Sequence, residues 1–164
     1  MKKTLLWSLG LVVAMLGVAF AQGAATDSHV MSAPKDLKWG DPPPVFAKGA
    51  TMSVVSGDPS KEGLYVVRLK MPAGYKINPH FHPTDENVTV ISGTFQLGMG
   101  DTFAAAGMKA LPAGGFALLP AQMHHYAMAK VPTVVQVHAM GPFALTYVNP
   151  ADDPSKRVAP VPAK

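Results

Sequence analysis

The chain has 164 residues, a formal charge of +4 and 15% charged residues, against about 25% in an average domain. This length fits one domain with short appendages and excludes a TIM barrel or a two-domain dehydrogenase, while the absence of a basic cluster argues against a nucleic-acid partner. Because the chain has no cysteine, disulfides, thiolate metal sites and thiol nucleophiles are excluded, and any metal must be bound by histidine, carboxylate or main-chain oxygen.

Residues 1–21 have the pattern of a secretory signal peptide. Two lysines precede an apolar run over residues 5–20, and Ala19-Phe20-Ala21 places small residues at the −3 and −1 positions of a cut before Gln22. The alternative is a membrane anchor, but the run is shorter than the ~20 residues that span a bilayer. We therefore predict a mature chain that starts at Gln22, is periplasmic or secreted, and has no membrane contact after signal cleavage.

The mature chain is predicted to have loose ends around one domain. Residues 22–49 form a leader and a Pro-rich segment, in which Asp41-Pro42-Pro43-Pro44 is extended because proline fixes φ and lacks the N–H group. Residues 149–164 are rich in Pro, Asp and Lys and are predicted to be a mobile tail. The domain between them is expected over residues 50–148.

Short β-type runs, broken by Gly and Pro, predict an antiparallel sandwich or barrel in this domain. The predicted strands are Thr51–Val55, Leu64–Lys70, Val88–Ser92, Thr94–Leu97, Phe116–Leu119, Val134–His138 and Phe143–Val148. The one plausible helix is Asp101–Met108, with Asp101 or Thr102 as its cap, three alanines inside it and Gly107 to end it.

A pair of histidines is the first sign of chemistry. His80 and His82 are two residues apart, so on a strand both imidazoles project from the same face. Pro83 and Thr84 then predict a turn, after which Glu86 begins the next strand of a hairpin. Two imidazoles and a carboxylate suit a divalent ion with positions left open for water or substrate.

A further histidine follows in a similar setting. Residues 114–125 predict a strand, a turn that begins at Pro120, and His125 entering the next strand. His125 could supply a fourth ligand from across a barrel, whereas its neighbour His124 is expected to face the other way.

These residues resemble a known family. Residues 74–93 resemble the first motif of the cupins at every fixed position, which are Gly74, His80, His82, Glu86 and Gly93.

Residues 114–129 resemble the second cupin motif less completely. The matching positions are Gly114, Pro120 and His125. Gln122 stands where the family has Gly, and Ala129 where it has Asn. The first departure matters if the turn needs a positive φ, which Gln adopts at a cost in free energy.

The resemblance implies an all-β fold of the cupin type, a double-stranded β-helix or jelly-roll barrel with at most one short helix and the metal in its mouth. It implies one divalent transition metal ion, either Fe, Mn, Zn or Ni, and the implied ligands are His80, His82, Glu86 and His125. Cupins usually dimerise, often by exchanging N-terminal strands, so a homodimer joined through residues 41–46 is an expectation.

Two functions follow from the resemblance. The first is a metal-dependent enzyme of dioxygenase, isomerase or lyase type that acts on a small organic molecule in the barrel pocket, with Glu86 also acting as a base. The second is a non-catalytic protein that binds a metal and a small ligand. The cupin fold hosts both.

A second titratable group in the pocket would favour the enzyme. On the predicted strand Val134–His138, either Gln136 and His138 or Val135 and Val137 face inward. If the polar pair does, His138 is the expected second catalytic residue beside Glu86.

Overall fold

The computed structural model describes residues 29–157, and the predicted signal peptide lies outside them. These residues form ten strands: β1 Thr51–Ser56, β2 Gly63–Met71, β3 Lys76–Phe81, β4 Glu86–Ser92, β5 Thr94–Met99, β6 Lys109–Pro112, β7 Phe116–Leu119, β8 His125–Ala129, β9 Thr133–Gly141 and β10 Thr146–Tyr147.

The strands form two antiparallel sheets of five. The first sheet has the order β1-β2-β9-β4-β7, and the second has the order β10-β3-β8-β5-β6. The chain alternates between the sheets from β2 to β5, as in a jelly roll. The predicted all-β jelly-roll class is therefore confirmed.

The core lies between the two sheets, where alternate side chains meet. On β2, for example, Tyr65, Val67 and Leu69 are buried, whereas Leu64 and Lys70 are exposed. This period of two is what a strand with one buried face requires. The inner faces hold the side chains that surround the candidate site.

The end of the Pro-rich N-terminal segment packs against the barrel of its own chain. Val45, Phe46 and Ala47 contact the core. The Tyr75 hydroxyl donates to the carbonyl of Ala47 at 2.7 Å, and the Tyr147 hydroxyl donates to that of Val45 at 2.8 Å. Exchange of this segment between two copies stays a prediction.

The predicted helix over Asp101–Met108 is wrong, because these residues form bends and turns between β5 and β6. Asp101, expected to cap the helix, instead places Oδ1 2.7 Å from Nδ1 of His124. Eight residues are also too few to form a stable helix without packing support. The helical residues described are in three short 3-10 turns, Pro34–Asp36, Pro150–Asp152 and Pro154–Lys156.

Two further differences concern strands. Of the predicted strand Phe143–Val148, only Thr146–Tyr147 pairs, and β6 was not expected from the sequence. Phe143 instead turns its ring toward Phe46, with 6.0 Å between the ring centroids. None of the helices described within residues 29–157 is long and apolar enough to cross a membrane.

Candidate metal centre

Two neighbouring strands of the second sheet bring three histidines together. His80 on β3 lies opposite His125 on β8, and His82 follows directly after β3. The register of β3 shifts between Ile77 and His80. Such a bulge re-aims side chains, so that Ile77 and His80 are both buried although they are three residues apart. The three histidines are between 2% and 8% exposed.

Backbone carbonyls hold the Nδ1 atom of each of these imidazoles. The pairs are His80 with Asn78 at 2.7 Å, His82 with Ala144 at 2.7 Å and His125 with Met123 at 2.9 Å. Because a carbonyl oxygen only accepts, Nδ1 carries the proton in each neutral ring. The lone pair of each Nε2 atom is then free to bind a metal.

The ligand atoms of the three histidines lie within 4.8 Å of one another, a group that could hold a metal ion. The Nε2 atoms of His82 and His125 are buried without a hydrogen-bond partner. Buried polar atoms are normally satisfied, and two orphaned imidazole nitrogens side by side are satisfied together by a cation. The residues therefore fit a transition metal ion.

Glu86 approaches the histidines from the first sheet. It begins β4, is 16% exposed, and places Oε2 3.6 Å from Nε2 of His82 and 3.5 Å from Nε2 of His125. These distances leave room for an ion between the groups. Three imidazoles and a carboxylate are a donor set that suits Fe, Mn, Ni or Zn. The structure thus brings the four predicted ligands together.

The environment favours the protonation states that bind a metal. Burial, followed by the charges of His125 and His82, lowers the pKa of His80 to about 3. Burial acts to raise the pKa of Glu86, but the imidazoles of His125 and His82 hold that pKa below its usual range. At neutral pH the site therefore offers a neutral His80 and an ionised carboxylate.

His138 is not among the residues that line this cavity, so the geometry does not support its catalytic role, which stays a prediction. On β9 it is Val135 and Val137 that line the cavity. Gln136 and His138 face outward, where Arg68 Nε donates to Gln136 Oε1 at 2.9 Å and Gln136 Nε2 lies 3.2 Å from Nε2 of His138. The polar side chains bind one another, so they need no partner inside the barrel.

His124 faces away from the cavity, as expected. Its Nδ1 lies 2.7 Å from Oδ1 of Asp101, and its ring stacks on Phe81 with 5.0 Å between the centroids and 24° between the ring planes.

Glycines with positive φ shape the turns around the site. The three glycines shared with the cupin motifs have φ values of +75° at Gly74, +81° at Gly93 and +83° at Gly114. Gln122, where the family has Gly, has a φ of 63° and is the only non-glycine residue among those described with a positive φ. Its N–H donates to the carbonyl of His82 at 2.8 Å, so this strained turn adjoins the site.

The candidate metal ligands lie on the wall of a cavity between the sheets. The cavity holds about 680 Å³ of unfilled space, counted to its open mouth. Apart from the ligands, its lining is almost entirely aliphatic and aromatic. Tyr65 is a lining residue that the sequence reasoning missed. Its alternation with Val67 and Leu69 on β2 is a signal that could have found it.

A family model described as the ChrR cupin-like domain matches residues 27–144, well over half of the chain. The chain belongs to this cupin family. None of the curated proteins matches it.

Several solved structures share the fold of this ChrR-like cupin. The polyketide cyclase RemF from Streptomyces resistomycificus is 17% identical with a TM-score of 0.64, and the match covers 79% of this chain and 92% of RemF. A candidate acetylacetone dioxygenase from Methylibium petroleiphilum PM1 is 20% identical with a TM-score of 0.60, covering 79% and 88%. KdgF from Halomonas sp. is 21% identical with a TM-score of 0.53, covering 69% and 94%. At these identities the likeness shows the fold alone.

Proposed function

We propose that this cupin is an exported metalloenzyme that acts on a small organic molecule in the barrel cavity. One divalent transition metal ion would be held by His80, His82, His125 and Glu86. The observation that carries the proposal is the convergence of three buried imidazoles, each fixed through Nδ1, beside an ionised carboxylate on the cavity wall. The cyclase and the candidate dioxygenase that share the fold support an enzyme.

The reaction would be of dioxygenase, isomerase or lyase type. When bound, the ion supplies Lewis-acid polarisation of a substrate oxygen, or redox chemistry if it is iron or manganese. Glu86 would accept a proton from the substrate, since its carboxylate is ionised and borders the cavity. The three histidines would hold the ion, and their carbonyl partners would keep the rings from rotating.

Export rests on residues 1–21, which lie outside the described part of the chain. We expect the exported protein to begin at Gln22, because Ala19-Phe20-Ala21 ends an apolar run too short to span a bilayer. The intact mass of the exported protein tests this. A chain that still starts at Met1 in the membrane fraction would contradict it.

The second candidate function is a binding protein without turnover. It is favoured by the outward position of His138, which leaves Glu86 and Tyr65 as the ionisable residues, besides the histidines, in the lining of this cavity. Native metal-loaded protein should be incubated with compounds that it binds, and the products analysed. A bound compound recovered unchanged over many hours supports binding alone, whereas conversion that Glu86→Gln abolishes supports the enzyme.

Metal content tests the site itself. Protein purified from its native host without metal-affinity steps should contain about one equivalent of transition metal by elemental analysis. We expect His80→Ala combined with His82→Ala to remove it. His124→Ala is the matched control, since this imidazole faces away from the cavity and should leave the content unchanged. Full metal content in the double variant would overturn the assignment.

A further inference from the structure

The cavity beside the candidate metal ligands has a mainly apolar lining. Beyond three histidines and Glu86, its side chains are hydrocarbon, thioether or aromatic, with one hydroxyl, that of Tyr65. Bulky apolar lining residues include Phe46, Met52, Phe95, Leu97, Phe143 and Leu145. Such a surface favours apolar ligand atoms and gives no compensation for the desolvation of polar ones.

Basic side chains on the adjoining strands point away from this cavity. Arg68 donates to Gln136 on the outer face of the first sheet, and Lys70 lies 4.1 Å from the ring centroid of Trp39. No lysine or arginine is among the residues that line the cavity. A ligand with an acidic group away from the metal would therefore bury that charge without a counter-charge, and its binding free energy would be strongly unfavourable.

Tyr65 is placed to reach toward Glu86. On the first sheet Tyr65 pairs with Ala139, which in turn pairs with Glu86, so the three share one row on the inner face. With neighbouring strands about 4.8 Å apart, the Cα atoms of Tyr65 and Glu86 lie about 10 Å apart, with only a methyl group between them. Tyr65 and Glu86 also line a second, smaller pocket of about 200 Å³ that includes His82.

Among the four tyrosine hydroxyls of the described residues, that of Tyr65 makes no hydrogen bond to the protein. The other three tyrosine hydroxyls donate to backbone carbonyls, in the pairs Tyr75 with Ala47, Tyr126 with Ala104 and Tyr147 with Val45. Tyr65 is only 3% exposed. Burial, followed by the charge of Glu86, raises its pKa to about 12, so the group stays protonated and can donate.

We infer that the cavity takes a small molecule that is neutral and mainly apolar away from its metal-binding oxygen, and that Tyr65 donates a hydrogen bond to an oxygen of this ligand. The inference rests on the proposed function, because it places the ligand between the ion and Tyr65. Tyr65 then selects and orients the ligand, while the apolar walls bind its carbon skeleton.

Two probes with the same metal-binding group test the ligand class. Zinc-loaded mature protein, which cannot undergo redox chemistry, should be titrated with 2-hydroxyacetophenone and with 3-acetyl-4-hydroxybenzoate by calorimetry. The second compound adds a carboxylate at the far side of the ring. We expect it to bind at least tenfold more weakly, because the apolar wall leaves this carboxylate unpaired.

Tyr65→Phe tests the hydrogen bond. We expect this variant to keep its zinc content and melting temperature but to bind 2-hydroxyacetophenone about tenfold more weakly. Tyr126→Phe removes a hydroxyl that donates to the carbonyl of Ala104 and should leave the affinity unchanged.

The outcomes separate this inference from the proposed function. If zinc binds but the two probes bind equally or not at all, or Tyr65→Phe binds as tightly as the native chain, the inference is overturned while the metal site stands. If zinc does not bind, the proposed function fails and the inference falls with it.

Discussion

At the scale of the residue, the backbone explains why particular side chains stand at the motif positions. Gly93 has a positive φ, and a Cβ atom there would clash with the carbonyl oxygen of Pro132, so no larger residue fits. Gln122 adopts a φ of 63° without the freedom of glycine. The turn before β8 is therefore strained, and it adjoins His82 through the N–H of Gln122.

Gln122→Gly should stabilise the protein. Glycine adopts this backbone conformation without the clash of Cβ, which costs an L-residue about 1–2 kcal/mol, so we expect a gain of about 1 kcal/mol after the greater flexibility of the unfolded chain is subtracted. Urea unfolding of the metal-free protein measures it. Gln122→Ala is the control and should show no gain, because alanine keeps the Cβ atom.

The buried His80 predicts a loss of stability at mildly acidic pH. Its pKa is about 3 in the folded metal-free chain and ~6.5 when unfolded, so below pH 6.5 the unfolded chain takes up a proton that the folded chain does not. The free energy of unfolding should therefore fall by about 1.4 kcal/mol between pH 7.5 and 5.5 through this residue.

Urea unfolding at the two pH values checks this, with His80→Gln as the control because glutamine does not titrate. The variant should lose less stability over the same range. Equal losses in both proteins would show that folding does not lower the pKa of His80.

At the scale of the element, β9 shows how a strand separates its two faces. Val135 and Val137 line the cavity, whereas Gln136 and His138 bind each other and Arg68 outside it. β3 departs from this regularity, since its register shift lets both Ile77 and His80 face inward. The bulge, not simple alternation, therefore places the first histidine.

Substitutions on the two faces of the first sheet should have different effects. We expect His138→Ala to retain full metal content and to lose about 1 kcal/mol of stability, since it leaves Gln136 with one partner fewer. His82→Ala removes an imidazole at the cavity and should lower metal content sharply. Elemental analysis and thermal unfolding of both variants measure this, and metal loss in His138→Ala would contradict the assigned face.

At the scale of the whole molecule, the candidate ligands join the two sheets. The second sheet contains His80 and His125, and His82 directly follows its strand β3. Glu86 begins a strand of the first sheet. An ion bound by all four would connect the two layers of the jelly roll. Since the chain has no cysteine, no disulfide makes such a connection.

Removing the metal should lower the melting temperature. Binding to the folded state alone stabilises by about 2.7 kcal/mol when free metal is one hundred times its dissociation constant. Calorimetry with and without a chelator measures this, and the variant with both His80→Ala and His82→Ala is the control that should not respond. A native melting temperature indifferent to chelator would show that the ion does not stabilise the fold.

Most of the strands and the spacing of the four candidate ligands could be read from the sequence, because both depend on local chemistry. The apolar runs favour strands, and the separation of His80, His82 and Glu86 encodes a strand, a turn and a second strand. The cupin resemblance rests on those same short-range intervals, which survive large changes elsewhere in the chain.

Only the tertiary structure decided which faces turn inward and which residues meet across the sheets. A period of two shows that Gln136 and His138 share a face, but not which face, since the valines between them are equally compatible with either side. Two contacts show which face turns inward. Arg68 binds Gln136 on the outer face, and Ala139 lies between Tyr65 and Glu86 on the inner face. Both contacts join residues that are far apart in the sequence. Asp101 also contacts His124, a residue far along the chain, and residues 101–108 form no helix. Such a tertiary contact can outweigh a weak local preference for helix.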